Sequence, residues 1–343
     1  MSAPVRGLSG SRDRSPLASG RLGMASLSES IDRARLESLR SYTDHRRGIT
    51  ESFVSLDFGG RPGVGVLSVP IVSHREVGWV ICHSFGMEQT YLQPLEVAVA
   101  RSLVANGFPV LRFQGRGYGD SDAPIEEVGL ESHVADAADA FRAMMSAGGV
   151  ARLGLIGARF GGAVAALVAD RLGASALVLL DPAVSGKAYL NSIIRARLVA
   201  ELADQGRASA TARDPWEVLD EQGLLEVDGF PLTRRAFDEI SLLDVAKQLS
   251  RFTGEALVVQ VSRSPRPSPG LRRLLARFGD LGASAKLEVV ADPEATRFGL
   301  PRYRLTGDAS KVDTQERLSA TLIERTVAWC SEVSGRRVQE EAR

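Results

Sequence analysis

The residues best placed for chemistry in this chain are charged, and they stand where a nucleophile is expected. "LGLIGARFGGAVAAL", Leu153 to Leu167, reads as an apolar strand, a glycine-flanked corner and a small-residue helix. In the turn G-x-S-x-G, such a corner presents its middle serine as a nucleophile. Here Gly157 and Gly161 hold the flanks and Arg159 holds the middle. A guanidinium with a pKa above about 12 stays protonated, so it can neither attack a carbonyl nor act as a base. A serine nucleophile also needs an acid and then a histidine further along the chain. The four histidines, His45, His74, His83 and His133, all precede the corner. The acid's expected loop, "VSRSPRPSPG", contains no carboxylate, and the histidine's expected region, "DPEATRFGLPRYRLTGD", contains no histidine. These vacancies argue for a non-hydrolytic protein.

What remains is anion chemistry. Ligands of open α/β sheets bind at the C-terminal ends of the strands. His83, Arg159 and Asp181 each follow an apolar run that reads as a strand, and Glu88 lies just beyond His83. Arg159 would open a helix whose unpaired amides already favour an anion. A carboxylate could then be held by the guanidinium fork and by backbone donors from "FGG" and "HSFG". The candidate ligand-binding set is Arg159, Phe160, His83, Ser84, Phe85, Glu88 and Asp181. Internal pairing of Arg159 with Asp181 or Glu88 competes with that role, since a partly buried guanidinium needs a partner. His83 is a candidate proton shuttle or an organiser of its loop. No triad residue is a catalytic candidate, and no His/Cys/Asp spacing suggests a metal.

These residues need a scaffold of alternating elements. "ESFVSLDF-GGRPG-VGVLSVPIV" reads as a hairpin, "VGWVIC" as a buried strand and "PLEVAVARSLVANG" as an amphipathic helix. "FPVLRFQ", "ARLGLI" and "ASALVLLDP" read as further strands, with helices over "ESHVADAADAFRAMMSAGG" and "FGGAVAALVADRLG". Residues 187–249 show helical pieces with no convincing strand, and alternation resumes at "EALVVQVS". The expected organisation is a disordered or weakly helical extension over 1–45, an α/β core over 46–186 and 250–334, a helical lid over 187–249 and a tail over 335–343. Alternation of this kind predicts a mostly parallel sheet with helices on both faces.

The order of parts resembles the α/β-hydrolase fold over residues 51–333, with the insertion after the sixth strand. "HSFG" resembles that fold's oxyanion loop, and "FQGRGYGDSD" resembles its D-x-R-G-x-G-x-S loop with Gln114 in place of the acid. More narrowly, "HSFGMEQ", "GARFGGAVAA", "LLDPAVSGKAYL" and "EVDGFPLTRRAFDEISLLDV" are similar to bacterial exosortase A system-associated hydrolase-like proteins, filed near the serine aminopeptidases. In that group the elbow typically reads G-L-R-L-G, so the resemblance implies that Arg159 is a group trait.

Composition narrows the partners. Lys+Arg and Asp+Glu both count 42, so no basic surplus points to nucleic acid. No apolar run approaches the roughly 20 residues of a membrane helix. Two cysteines are too few for a disulfide framework and fit a reducing cytoplasm. The expectation is a protein without a cofactor that binds a small acidic or acyl-bearing ligand under the lid. The alternatives are a non-triad enzyme using Arg159 and His83, or a structural accessory of a protein partner.

Overall fold

The computed structural model describes residues 39–341, except 122, 148, 206–213 and 292–309. Eleven strands and nine α-helices are described. The strands are β1 (Ser41–Asp44), β2 (Ile49–Asp57), β3 (Pro62–Pro70), β4 (Val77–Cys82), β5 (Val110–Gln114), β6 (Arg152–Ala158), β7 (Ala176–Leu180), β8 (Leu224–Val227), β9 (Phe230–Thr233), β10 (Glu255–Ser262) and β11 (Ser284–Ala291). The helices are α1 (Met87–Ala105), α2 (Leu130–Ser146), α3 (Arg159–Leu172), α4 (Gly186–Gln205), α5 (Pro215–Gln222), α6 (Arg234–Ser241), α7 (Val245–Gln248), α8 (Pro269–Asp280) and α9 (Ser310–Glu341).

Nine strands form one sheet in the order β1-β2-β3-β5-β4-β6-β7-β10-β11. β1, β2, β3 and β5 pair antiparallel in turn, and the pairs from β5 through β11 are parallel. Its central strands are buried on both faces, which explains their continuous apolar runs. β4 is buried at every position, as is β7. One face packs a core that includes Phe141, Leu155, Phe160 and Leu177, and the other packs Trp79, Leu103, Ile156 and Trp329. Among the described residues no helix is long and apolar enough to cross a membrane.

Three expectations need correction. β1 lies inside the segment read as a non-strand extension to residue 45 and pairs with β2 through Ser41↔Ser52 to Asp44↔Ile49. Its four residues, "SYTD", are polar and exposed, so they carry no alternating signal. The extra strand also makes the strand before the insertion the seventh. Second, α1 begins at Met87, with Pro94 inside it. Proline's preference for a helix start sets the expected boundary at Pro94, about two turns after the observed one. Third, the insertion holds an antiparallel hairpin, β8–β9. Its turn is Asp228-Gly229, with φ of 52° and 84°. Positive φ at both central residues is the hairpin geometry that Asp-Gly favours, and this dipeptide was the available signal.

Candidate functional site

β4, β6 and β7 lie side by side, and their C-terminal ends bring the site together. The His83–Gly86 loop follows β4, Arg159 begins α3 directly after β6, and Asp181 follows β7. Close approach explains the corner's glycines. A Cβ on Gly157 would overlap the Gly161 carbonyl, and one on Gly161 would overlap the carbonyl of Cys82. Ser84, fully buried, ties the loop to the corner by donating to Ala158 O at 2.8 Å and accepting from Gly161 N–H at 3.3 Å.

Arg159 and Asp181 both adopt left-handed backbone, with φ of 50° and 48°. For non-glycine residues that conformation costs on the order of 1–3 kcal/mol and persists only where surrounding structure enforces it. Here the two side chains pair, Arg159 Nη1 lying 3.0 Å from Asp181 Oδ2. Arg159 Nε lies 3.1 Å from Glu88 Oε1. Glu88 Oε2 accepts from the Tyr189 hydroxyl at 3.1 Å, and the nearby Phe160 amide helps to hold its carboxyl down. Asp181 Oδ1 accepts from Val261 N–H at 3.3 Å.

The amide after the corner residue is the one that serves an oxyanion hole in this type of turn. In this protein it faces the chain's own carboxylate. Glu88 thus occupies the anion position that the helix N-terminus and the guanidinium create. Burial pushes the Glu88 and Asp181 carboxyls above the usual range, with the Arg159 charge pulling them back. Burial opposes the charge on Arg159, but the two carboxylates outweigh it and the net shift is upward.

His83 is turned into another environment. Its Nδ1 bonds Ser84 O at 3.0 Å, and its Nε2 accepts from Gly115 N–H at 3.1 Å. That pairing defines a neutral imidazole protonated at Nδ1, and burial lowers its pKa to about 4. A ring with both nitrogens on backbone partners is an organiser of loops. It packs against Phe113, Tyr118 and His133 at centroid distances of 5.4, 4.7 and 4.9 Å. Phe85 and Phe160 are core side chains, 3% and 0% exposed.

Two side chains of the insertion reach this assembly. Tyr189 comes from α4, and Phe230 from β9 stacks on Tyr118 at 5.6 Å and 14°. Sequence reasoning missed Tyr189, His133 and Phe230; only the Asp-Gly turn beside Phe230 could have flagged one of them. The cavity beside Glu88, lined by residues including Tyr91, Tyr189 and Phe230, is about 30 Å³. One water needs about 10–15 Å³ on such a measure, so the space suits a water or two. The loop after β10 is "VSRSPRPSPG", without a carboxylate; "DPEATRFGLPRYRLTGD" lies outside the described residues. Among the described residues no group of three His, Cys, Asp or Glu side chains could hold a metal ion.

This architecture is the α/β-hydrolase fold. The family model described as serine aminopeptidase, S33, matches residues 78–222, a span that includes the Arg159 corner and stops before β10. Among solved structures, the chain is similar to ferulic acid-bound Est1E from Butyrivibrio proteoclasticus, at 18% identity and a TM-score of 0.53. That match covers 82% of this chain and 98% of the other. It is also similar to the Pyrococcus furiosus esterase Pf2001, at 11% identity and a TM-score of 0.53, covering 83% and 94% of the two chains. At these identities the likeness is one of fold. No curated protein matches the chain.

Proposed function

We propose that this protein is a non-hydrolytic α/β-hydrolase-fold protein that acts by association, as an accessory to another protein, with an internal ion-pair lock where the nucleophile would be. The observation that carries this reading is the double engagement of Arg159 by Glu88 and Asp181. Nε and Nη1 of Arg159 both have internal acceptors, and the Gly161 amide donates to Ser84. This favours a self-satisfied scaffold over an open anion receptor, and the neutral, fully bonded His83 argues against a proton-shuttle enzyme. Two buried free cysteines, Cys82 and Cys330, agree with a reducing, cytoplasmic setting.

The test is reactivity. Incubated with a fluorophosphonate probe and with p-nitrophenyl acetate, the folded protein should show no labelled serine and no hydrolysis above a denatured control. Stoichiometric labelling of any serine overturns the reading.

A second reading, binding of a small acidic or acyl-bearing ligand beneath a lid, needs the space of about 30 Å³ beside Glu88 and Tyr189 to widen. It requires the ligand's carboxylate to replace that of Glu88 on Arg159. Acetate or benzoate would then raise the melting temperature as RT ln(1 + [L]/Kd), and Arg159→Met would abolish the rise. Equal responses in both proteins would leave only the scaffold.

A further inference from the structure

Charge is balanced over the whole chain but unevenly placed along it. From Asp214 to Glu239, the span of α5, β8, β9 and most of α6, there are eight acidic residues and two basic ones. From Lys247 to Lys286, the span of α7, β10, α8 and the start of β11, there are eight basic residues and two acidic ones.

Both stretches turn their charge outward. On α5, Glu217, Asp220 and Glu221 are exposed and, three and four residues apart, share one face. β8 follows across Gly223. Its Leu225 and Val227 are buried and its Leu224 and Glu226 point outward, as alternation along a strand requires. Trp216, 36% exposed, and Leu224, 37% exposed, add apolar surface beside these carboxylates. The basic stretch is built around α8, where Arg272 and Arg273 are exposed. Arg272 Nη1 reaches back 2.9 Å to Pro267 O, beside the exposed Arg266. Arg273 and Arg277, four apart, share a face, and Arg277 Nη2 donates to Leu249 O at 2.8 Å, which brings α8 beside the segment leading to the exposed Arg251.

The two stretches do not neutralise each other. Arg234 pairs with Asp220 and Asp238, and Arg235 with Glu239, all within the acidic stretch. Among the described residues, no carboxylate pairs with Arg251, Arg266, Arg272 or Arg273, and no cation pairs with Glu217 or Glu226.

We infer that the acidic face of α5 and β8 is a docking surface for a second copy of this chain, which meets it with the arginines of α8. Charge complementarity selects that occupant: the chain carries both halves of the contact, each with charges left unpaired. A single exposed ion pair contributes little. The contact therefore draws on the row of charges together, which also steers the approach, and on Trp216 and Leu224. Tryptophan is enriched among the residues that carry binding energy, and its ring offers arginine a face to stack on. The contact is independent of the Arg159 lock, and either can fail alone.

Sedimentation velocity of the full chain over a concentration series tests the contact. In about 0.05 M salt the wild type should assemble, and raising the salt to about 0.5 M should weaken assembly about tenfold or more by screening. Arg272→Gln with Arg273→Gln removes charge from one face, and Glu217→Gln with Glu226→Gln removes it from the other. All four side chains are exposed and outside any ion pair, so both variants should melt with the wild type. Each variant alone should assemble about tenfold more weakly or worse. An equimolar mixture should recover a one-to-one pair, because each variant supplies the face that the other lacks. A wild type that stays a single copy in low salt, assembly indifferent to salt, a variant that assembles as the wild type does, or a mixture no better than its parts would each overturn the assignment.

Discussion

Tyr189 donates its hydroxyl to Glu88 Oε2 at 3.1 Å, so the inserted helix α4 and the corner residue Arg159 share one carboxylate. The insertion is thereby joined to the sheet through a buried charge as well as through apolar packing. Hydrogen bonds to charged groups contribute about 1.5–3 kcal/mol. Tyr189→Phe keeps the ring and removes only that bond. It should lower unfolding stability by an amount in this range and speed amide exchange along α4. Unchanged exchange in α4 would show that the hydroxyl does not hold the insertion down.

Arg159→Ser rebuilds the G-x-S-x-G spelling without restoring chemistry, because an unassisted serine hydroxyl is a weak nucleophile. The variant should have no esterase activity. Leaving Glu88 and Asp181 buried without their shared cation should cost about 3–5 kcal/mol, read by urea denaturation. Arg159→Lys keeps the charge but loses the fork that serves both carboxylates, so its loss should be smaller. A stable and active Arg159→Ser protein would reveal a base at the corner.

Acid should destabilise the protein through two adjacent imidazoles. Burial holds His83 to about 4; burial and then the neighbouring His83 hold His133 to about 3, against an ordinary value of 6.5. Between pH 6.5 and 4 the unfolded chain binds protons that the folded one does not. This contribution to stability is complete above 6.5 and shrinks as the pH falls, by roughly 3 kcal/mol for His83 at pH 4. Imidazole resonances of His83 and His133 should keep neutral shifts at pH 5.5. A midpoint near 6.5 for either would refute this.

Glu96 should produce the opposite slope on the alkaline side. Its folded value of about 8 lies above the ordinary 4.5 because of burial, offset by Arg112 and reinforced by Glu88. A raised carboxyl costs stability as the pH climbs toward the folded value, and above about pH 7 the histidine contribution is nearly flat. Wild-type stability should therefore fall between pH 7 and 8 by about 1 kcal/mol. Glu96→Gln should flatten that stretch; a parallel decline in the variant would assign the slope to another group.

The sheet's parallel strands and the corner were legible in residue order. Short continuous apolar runs such as "VGWVIC" and "ASALVLL", alternating with helical stretches, fit strands buried on both faces, and glycines 157 and 161 mark a close approach that the backbone contacts bear out. The vacancy at the nucleophile position and the carboxylates able to neutralise Arg159 were legible too, since charge and chain position are properties of residue type. What the tertiary structure alone decided is how Arg159 is shared. Glu88 and Asp181 both engage it, and Tyr189, 101 residues after Glu88, completes the set. Likewise, Glu96 on α1 and Arg112 on β5 carry no common motif, and only the packing of α1 on the sheet makes them walls of one cavity. Local pattern is fixed by side-chain period along the chain. Pairing across it depends on distances and burial that no period encodes.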